Sequence, residues 1–116
     1  MTTERQIIFH RQYFKNFYLE QTDKVQDKFD YVFRIIRTVE KIPEKFLKHM
    51  EGTDGLYEIR IEVSNNIFRV FCCFDKGNLV VLFNAFQKKA QKTPKQEIEL
   101  AEKLKKEYFN LKSKTK

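Results

Sequence analysis

The stretch from Leu56 to Phe86 constrains the fold most. Tyr57, Ile59, Ile61 and Val63 alternate with Glu58, Arg60 and Glu62, the period-two pattern of a strand with one buried face. Ser64-Asn65-Asn66-Ile67 follows as a tight turn, because Asn tolerates positive φ. Phe68 to Phe74 reads as a second strand, Asp75-Lys76-Gly77-Asn78 as a second turn, and Leu79 to Phe86 as a third strand. Two successive hairpins therefore form the middle of the chain.

Helical periodicity flanks this sheet. After a short opening strand at Ile7-Ile8-Phe9, Phe14, Phe17 and Tyr18 share one helical face. Val25, Phe29, Val32, Phe33, Ile36 and Val39 recur at helical spacing, with Asp23 as the expected cap, Gln26 three residues on, and Pro43 as the stop. Phe46 and Leu47 fall in a short irregular or helical piece, and Gly52-Thr53-Asp54-Gly55 is a loop. Thr93 is the expected N-cap of a last helix, with Pro94 at its first position and Gln96 completing a capping box. Its stripe is Ile98, Ala101, Leu104, Tyr108 and Leu111, and residues 112–116 read as a frayed basic tail.

A chain of 116 residues suits one domain, 1–116. Its 12 Phe supply a core that needs no disulfide or metal staple. No run of about 18 apolar residues exists to span a membrane, and the N-terminus leads into no secretory signal. Cys72 and Cys73 are adjacent, hence on opposite strand faces and poorly placed to pair. The cytoplasm is the expected compartment, and neither His10 nor His49 has partners at zinc-ligand spacing. No cofactor is expected. The net charge of +7 points to an anionic partner, nucleic acid first and an acidic protein second. A merely basic surface is the plain alternative.

Two-residue hairpins would set Glu62 opposite Arg69, Arg60 opposite Phe71 and Arg69 opposite Asn84. Ile59, Ile61, Val70, Cys72, Val81 and Phe83 would then face the long helix. Glu58, Arg60, Glu62, Arg69 and Asn84 would share the opposite, partly open face with Phe71, Cys73, Leu82 and Phe86. Past Phe86, cations cluster at a strand end and a helix start, at Lys88, Lys89, Lys92 and Lys95, where the helix dipole does not favour them. Arginines that grip a phosphate, with a carboxylate to take a 2′-hydroxyl proton, suit RNA cleavage. Phe71 and Phe86 could stack on bases. The competing readings are a plain Glu62–Arg69 ion pair and a second small core built on Phe71 and Phe86.

Gly55-Leu56-Tyr57-Glu58-Ile59-Arg60, Phe68-Arg69-Val70-Phe71 and Phe86-Gln87-Lys88-Lys89-Ala90-Gln91-Lys92-Thr93-Pro94, in this order, resemble the RelE/ParE superfamily of type II toxins. The similarity is strongest to its HigB-like, phage-derived branch and covers about residues 45–109. The resemblance implies an α+β, microbial-RNase-like fold, a small mostly antiparallel sheet with helices packed on one face. It also implies a ribosome-dependent endoribonuclease that cuts translated mRNA, neutralised by a helix-turn-helix antitoxin. On the matching motifs, Arg60, Arg69, Glu58 and Lys88 carry the chemistry. Lys89, Lys92, Phe86, Asn84 and Glu62 contact RNA. Asn84 stands where many relatives have a histidine, and an amide cannot shuttle a proton at neutral pH. A ParE-like gyrase inhibitor and a non-catalytic RNA- or ribosome-binding protein are the alternatives. The antitoxin is expected on the Arg60 and Arg69 face, anchored by Phe71, Leu82 and Phe86; a grip on a remote surface, acting by bulk, is the alternative that the resemblance leaves open.

Overall fold

The computed structural model describes residues 4–114. In chain order the elements are β1 (Gln6–Phe9), α1 (Tyr13–Leu19), α2 (Asp23–Thr38), β2 (Leu47–His49), β3 (Tyr57–Val63), β4 (Asn66–Asp75), β5 (Leu79–Lys88) and α3 (Lys95–Lys114). One five-stranded sheet has the order β1-β5-β4-β3-β2. Only the β1–β5 pairing is parallel; the other three pairings are antiparallel. The α+β class with a mostly antiparallel sheet is as expected.

Alternation along β4 divides the interior. Phe68, Val70 and Cys72 join Ile59, Ile61, Val80 and Leu82 under α1 and α2. Phe71 and Cys73 join Leu56, Val81, Phe83 and Phe86 under Ala101 and Leu104 of α3. Helices therefore cover both faces of the sheet, not the single face expected. The first core is aromatic: Phe14, Phe29, Phe33 and Phe68 meet mostly edge-on or tilted, with ring centroids 5.3–6.0 Å apart, the arrangement that ring quadrupoles favour. Both cysteines are buried and free, one in each core, as their adjacency on a strand requires.

Local chemistry sets the helix starts. The cap of α2 is Thr22, whose Oγ1 accepts from Val25 N at 3.3 Å, and not Asp23, which lies in the first turn and meets the positive end of the dipole. The carbonyl of Pro94 takes the first bonds of α3, from Glu97 N and Ile98 N. Pro94 therefore stands just ahead of the helix. The helix continues through Lys114. Lys112, expected in a frayed tail, donates to Asp75 Oδ2 at 2.6 Å; residues 115 and 116 lie outside the described residues.

The turns correct the expected register. In the first hairpin Val63 pairs with Asn66, so the loop residues are Ser64, at φ 56°, and Asn65. This slides the pairing by two residues, leaves every side chain on its face, and sets Arg60 opposite Arg69 and Glu62 opposite Ile67. In the second, Asp75 pairs with Leu79 around a three-residue turn, with Gly77 at φ 76° and Asn78 at φ 62°. A one-residue slip exchanges faces. Val81 and Phe83 thus lie under α3, while Leu82 lies under α2. An irregularity between Val70 and Cys72 shifts the pairing once more, returns Phe86 to the α3 side, and sets Arg69 opposite Phe86 rather than Asn84.

Candidate functional site

The α3 face of β3 carries Glu58, Arg60 and Glu62, of which Glu58 is buried and Glu62 exposed. Cross-strand pairing arranges the side chains in rows. Glu58 lies opposite Phe71, Arg60 opposite Arg69 and then Phe86, and Glu62 opposite Ile67 and then Lys88. Two arginines directly opposite each other repel, so this row needs a counter-charge. Glu58, one row away, supplies it. Its Oε1 accepts from Arg60 Nε at 3.2 Å and its Oε2 lies 3.8 Å from Arg69 Nε.

Burial distinguishes the two guanidiniums. The Arg60 side chain is 27% exposed and that of Arg69 only 8%. Arg69 donates one bond, to the Phe68 carbonyl at 3.1 Å, and its Nε has no hydrogen-bond partner. Burial pulls the Arg69 pKa below the ordinary arginine value, while Glu58 pulls it back up. A buried donor without an acceptor is costly, and an anion approaching this row would satisfy it. The Glu62–Arg69 ion pair is not formed; Glu58 takes that place, and Glu62 is exposed.

Strand β2 contributes a residue that sequence reasoning missed. Arg60 N donates to Phe46 O at 2.8 Å, and Lys48 pairs with Glu58 in register. A third cation thus stands on the same face beside the buried carboxylate. Three residues of an edge strand are too short to show alternation, so Leu47-Lys48-His49 gave no signal.

The basic segment lies at the open end of the sheet. Lys88 is half-buried in the last row, and Lys89 and Lys92 are exposed beyond it. A shallow groove of about 620 Å³, lined by Asn65, Asn66, Ile67, Lys88, Lys89 and Gln91, joins this segment to the β3–β4 turn.

Two expected contact residues are turned inward. Phe86 is 7% exposed and packs on Phe71 at 5.6 Å between ring centroids, so it belongs to the second core and offers no stacking platform. Asn84 is buried beneath the first turn of α3, where its Nδ2 donates to Glu97 O and Oε1 at 3.1 and 2.9 Å. Phe71 and Leu82 are fully buried and are not available as a partner's anchor on this face.

The fold and this row of cations define a small α+β protein with an electropositive sheet end. Over residues 16–106 the sequence matches the phage derived protein Gp49-like (DUF891) family. The chain belongs to that family, which is one of RelE/ParE-like toxins. No curated protein matches it.

Proposed function

We propose that the chain is the toxin of a type II toxin–antitoxin system, an endoribonuclease that cleaves mRNA being translated on the ribosome. The observation that carries this reading is the facing pair Arg60 and Arg69 around the buried carboxylate of Glu58. Membership of a toxin family supports it.

The RNA supplies its own nucleophile. The 2′-oxygen attacks the adjacent phosphorus, its proton passes to a carboxylate, and the bond from phosphorus to the 5′-oxygen breaks. A 2′,3′-cyclic phosphate and a 5′-hydroxyl result. Arg60 and Arg69 hold the phosphate and offset its growing charge. Glu58, engaged by both guanidiniums, aligns them. Exposed Glu62, one row towards the open end, is the proton acceptor. Lys88, in the same row, gives the leaving 5′-oxygen its proton, and Lys89 and Lys92 bind flanking phosphates. A partner protein of opposite charge neutralises the toxin.

Induction of the chain alone is expected to arrest growth, and primer extension on a translated message to reveal new 5′ ends inside the reading frame. Intact messages together with lost DNA supercoiling would replace this reading with gyrase inhibition.

A further inference from the structure

Strand register arranges the cations of the sheet in a line. Lys48 on β2 pairs with Glu58 on β3, Arg60 on β3 with Arg69 on β4, and Arg69 with Phe86 on β5, two residues before Lys88. Lys48 is therefore the diagonal neighbour of Arg60, and Lys88 that of Arg69. Diagonal neighbours lie about 7–8 Å apart, within reach of long side chains. The two steps run the same way: Lys48 stands one row towards buried Glu58, and Lys88 one row towards exposed Glu62. Each of the strands from β2 to β5 thus gives one cation to a straight diagonal, Lys48, Arg60, Arg69 and Lys88, and Lys89 and Lys92 continue it beyond the sheet.

Lys48 is the member of this line without a task. Both Glu58 oxygens are turned to the arginines, Oε1 at 3.2 Å from Arg60 Nε and Oε2 at 3.8 Å from Arg69 Nε. Among the described residues Lys48 takes part in no ion pair. It is half-buried on an edge strand, where a lysine packs its stem and keeps its charged head in water. Nearby Lys45 differs, because its Nζ lies over the Phe46 ring, 4.9 Å from the centroid.

The direction of an RNA strand on this line follows from the chemistry. Attacking and leaving oxygens stand on opposite sides of phosphorus. Glu62, which takes the 2′-hydroxyl proton, and Lys88, which serves the 5′-oxygen, share one row on β3 and β5, with Ile67 of β4 between them. The nucleotide that keeps the 2′-oxygen is therefore on the β3 side, and the released 5′-hydroxyl on the β5 side. We propose that Lys48 binds the phosphate on the 5′ side of the scissile one, so that single-stranded RNA crosses the sheet diagonally, from the β2 edge to Lys88, Lys89 and Lys92. The proposal rests on the ribonuclease reading above. Lys48 acts as a point charge away from the reacting atoms, and its contact fixes the polarity of the bound strand.

The test uses the full chain in single turnover on ribosomes carrying a short synthetic message. The phosphate next to the cleaved bond, on its 5′ or its 3′ side, is replaced by an uncharged methylphosphonate. Lys48→Gln should slow cleavage of the unmodified message on the order of tenfold, the loss of one charged contact, and Lys48→Arg should restore it. The 5′ methylphosphonate should slow the wild type to a similar degree and the Lys48→Gln protein no further. The 3′ methylphosphonate should slow both proteins alike. A lysine that only steadied Glu58 would add its loss to both replacements, and that result, or coupling to the 3′ phosphate, would overturn the proposal. Should Lys48→Gln fail to fold, acetylation footprinting of the wild-type lysines decides, on a message left uncut by a 2′-deoxy nucleotide at the cleaved position. Lys48 should be shielded, the 5′ methylphosphonate should lift that shield, and shielding that does not change would overturn the proposal. A wild-type chain that cuts no message on ribosomes removes the ribonuclease reading and the proposal together, whereas cutting without this coupling sinks the proposal alone.

Discussion

Glu58, Arg60 and Glu62 could be assigned to one face from alternation alone, because a strand's period leaves no other choice. Arg69 could be given its face but not its partner, since its neighbour depends on which residues make the turn. Lys48 could not be found, because its strand is only three residues long. The two members of the arginine pair should respond differently from the carboxylate that joins them. Arg60 is partly exposed, so Arg60→Ala should leave stability within about 1 kcal/mol. Cleavage in single-turnover assays should nevertheless fall about a hundredfold or more, the usual loss of a transition-state charge contact. Glu58→Ala removes the carboxylate paired with both guanidiniums and leaves Arg69 buried against a like charge. A loss of about 3–5 kcal/mol is expected in urea unfolding, the cost of stranding a buried charge. A Glu58→Ala protein as stable as the wild type would show that the cluster is already hydrated and does not depend on this pair.

At the scale of elements, the helices and every strand but β2 were legible, and their connections were not. Asp75-Lys76-Gly77-Asn78 is compatible with a two- or a three-residue turn; Gly77 and Asn78 both at positive φ select the longer one. The irregularity between Val70 and Cys72 contains no glycine to announce it. These two one-residue shifts exchanged Leu82 for Val81 and Phe83 and then restored Phe86, so only the C-terminal end of β5 was put on its right face. The last turns of α3 carry a further consequence. The Tyr108 hydroxyl and Lys112 Nζ donate to Asp75, and His10 and Arg11 share Glu107. Lys112 above all, with Tyr108, holds the Asp75 carboxyl down from 3.8 to about 2. Arg11 first, then His10, holds that of Glu107 down from 4.5 to about 2. A depressed carboxyl stabilises the fold above its unfolded pKa and loses that contribution as pH falls through its folded one. The end of α3 should therefore hold at pH 5 and loosen progressively towards pH 2. Circular dichroism and exchange of the helix's terminal amides would follow it. Asp75→Asn and Glu107→Gln together should flatten that acid limb, and a limb that keeps its slope in the double variant would place the titrating groups elsewhere.

For the whole molecule, the positive charge has a direction. The cations of the open sheet end and those along β1 lie at separate places on the surface. The net charge was legible at once; its division was not, because it depends on which residues the two cores withdraw. Phe71, Leu82 and Phe86 are withdrawn from the first surface, which leaves it polar and electrostatic, while Phe9 and Leu19 remain on the second. Binding of RNA at the sheet end should accordingly be dominated by counterion release. Lys89 and Lys92 are exposed and Lys88 is half-buried beside them, and none needs the fixed geometry of a guanidinium fork. Replacing all three by Gln should lower the slope of log K against log salt by about 2 for single-stranded RNA, at roughly 0.7 per phosphate contact. Each single substitution should take a graded share. Lys88→Gln should also slow cleavage of bound RNA if Lys88 serves the leaving oxygen, and a substrate with a sulfur in place of the bridging 5′-oxygen should restore the rate, since that leaving group needs no proton. A triple variant that keeps the wild-type salt slope would show that the phosphates contact other cations, and a Lys88→Gln defect that the sulfur substrate does not repair would confine this lysine to binding.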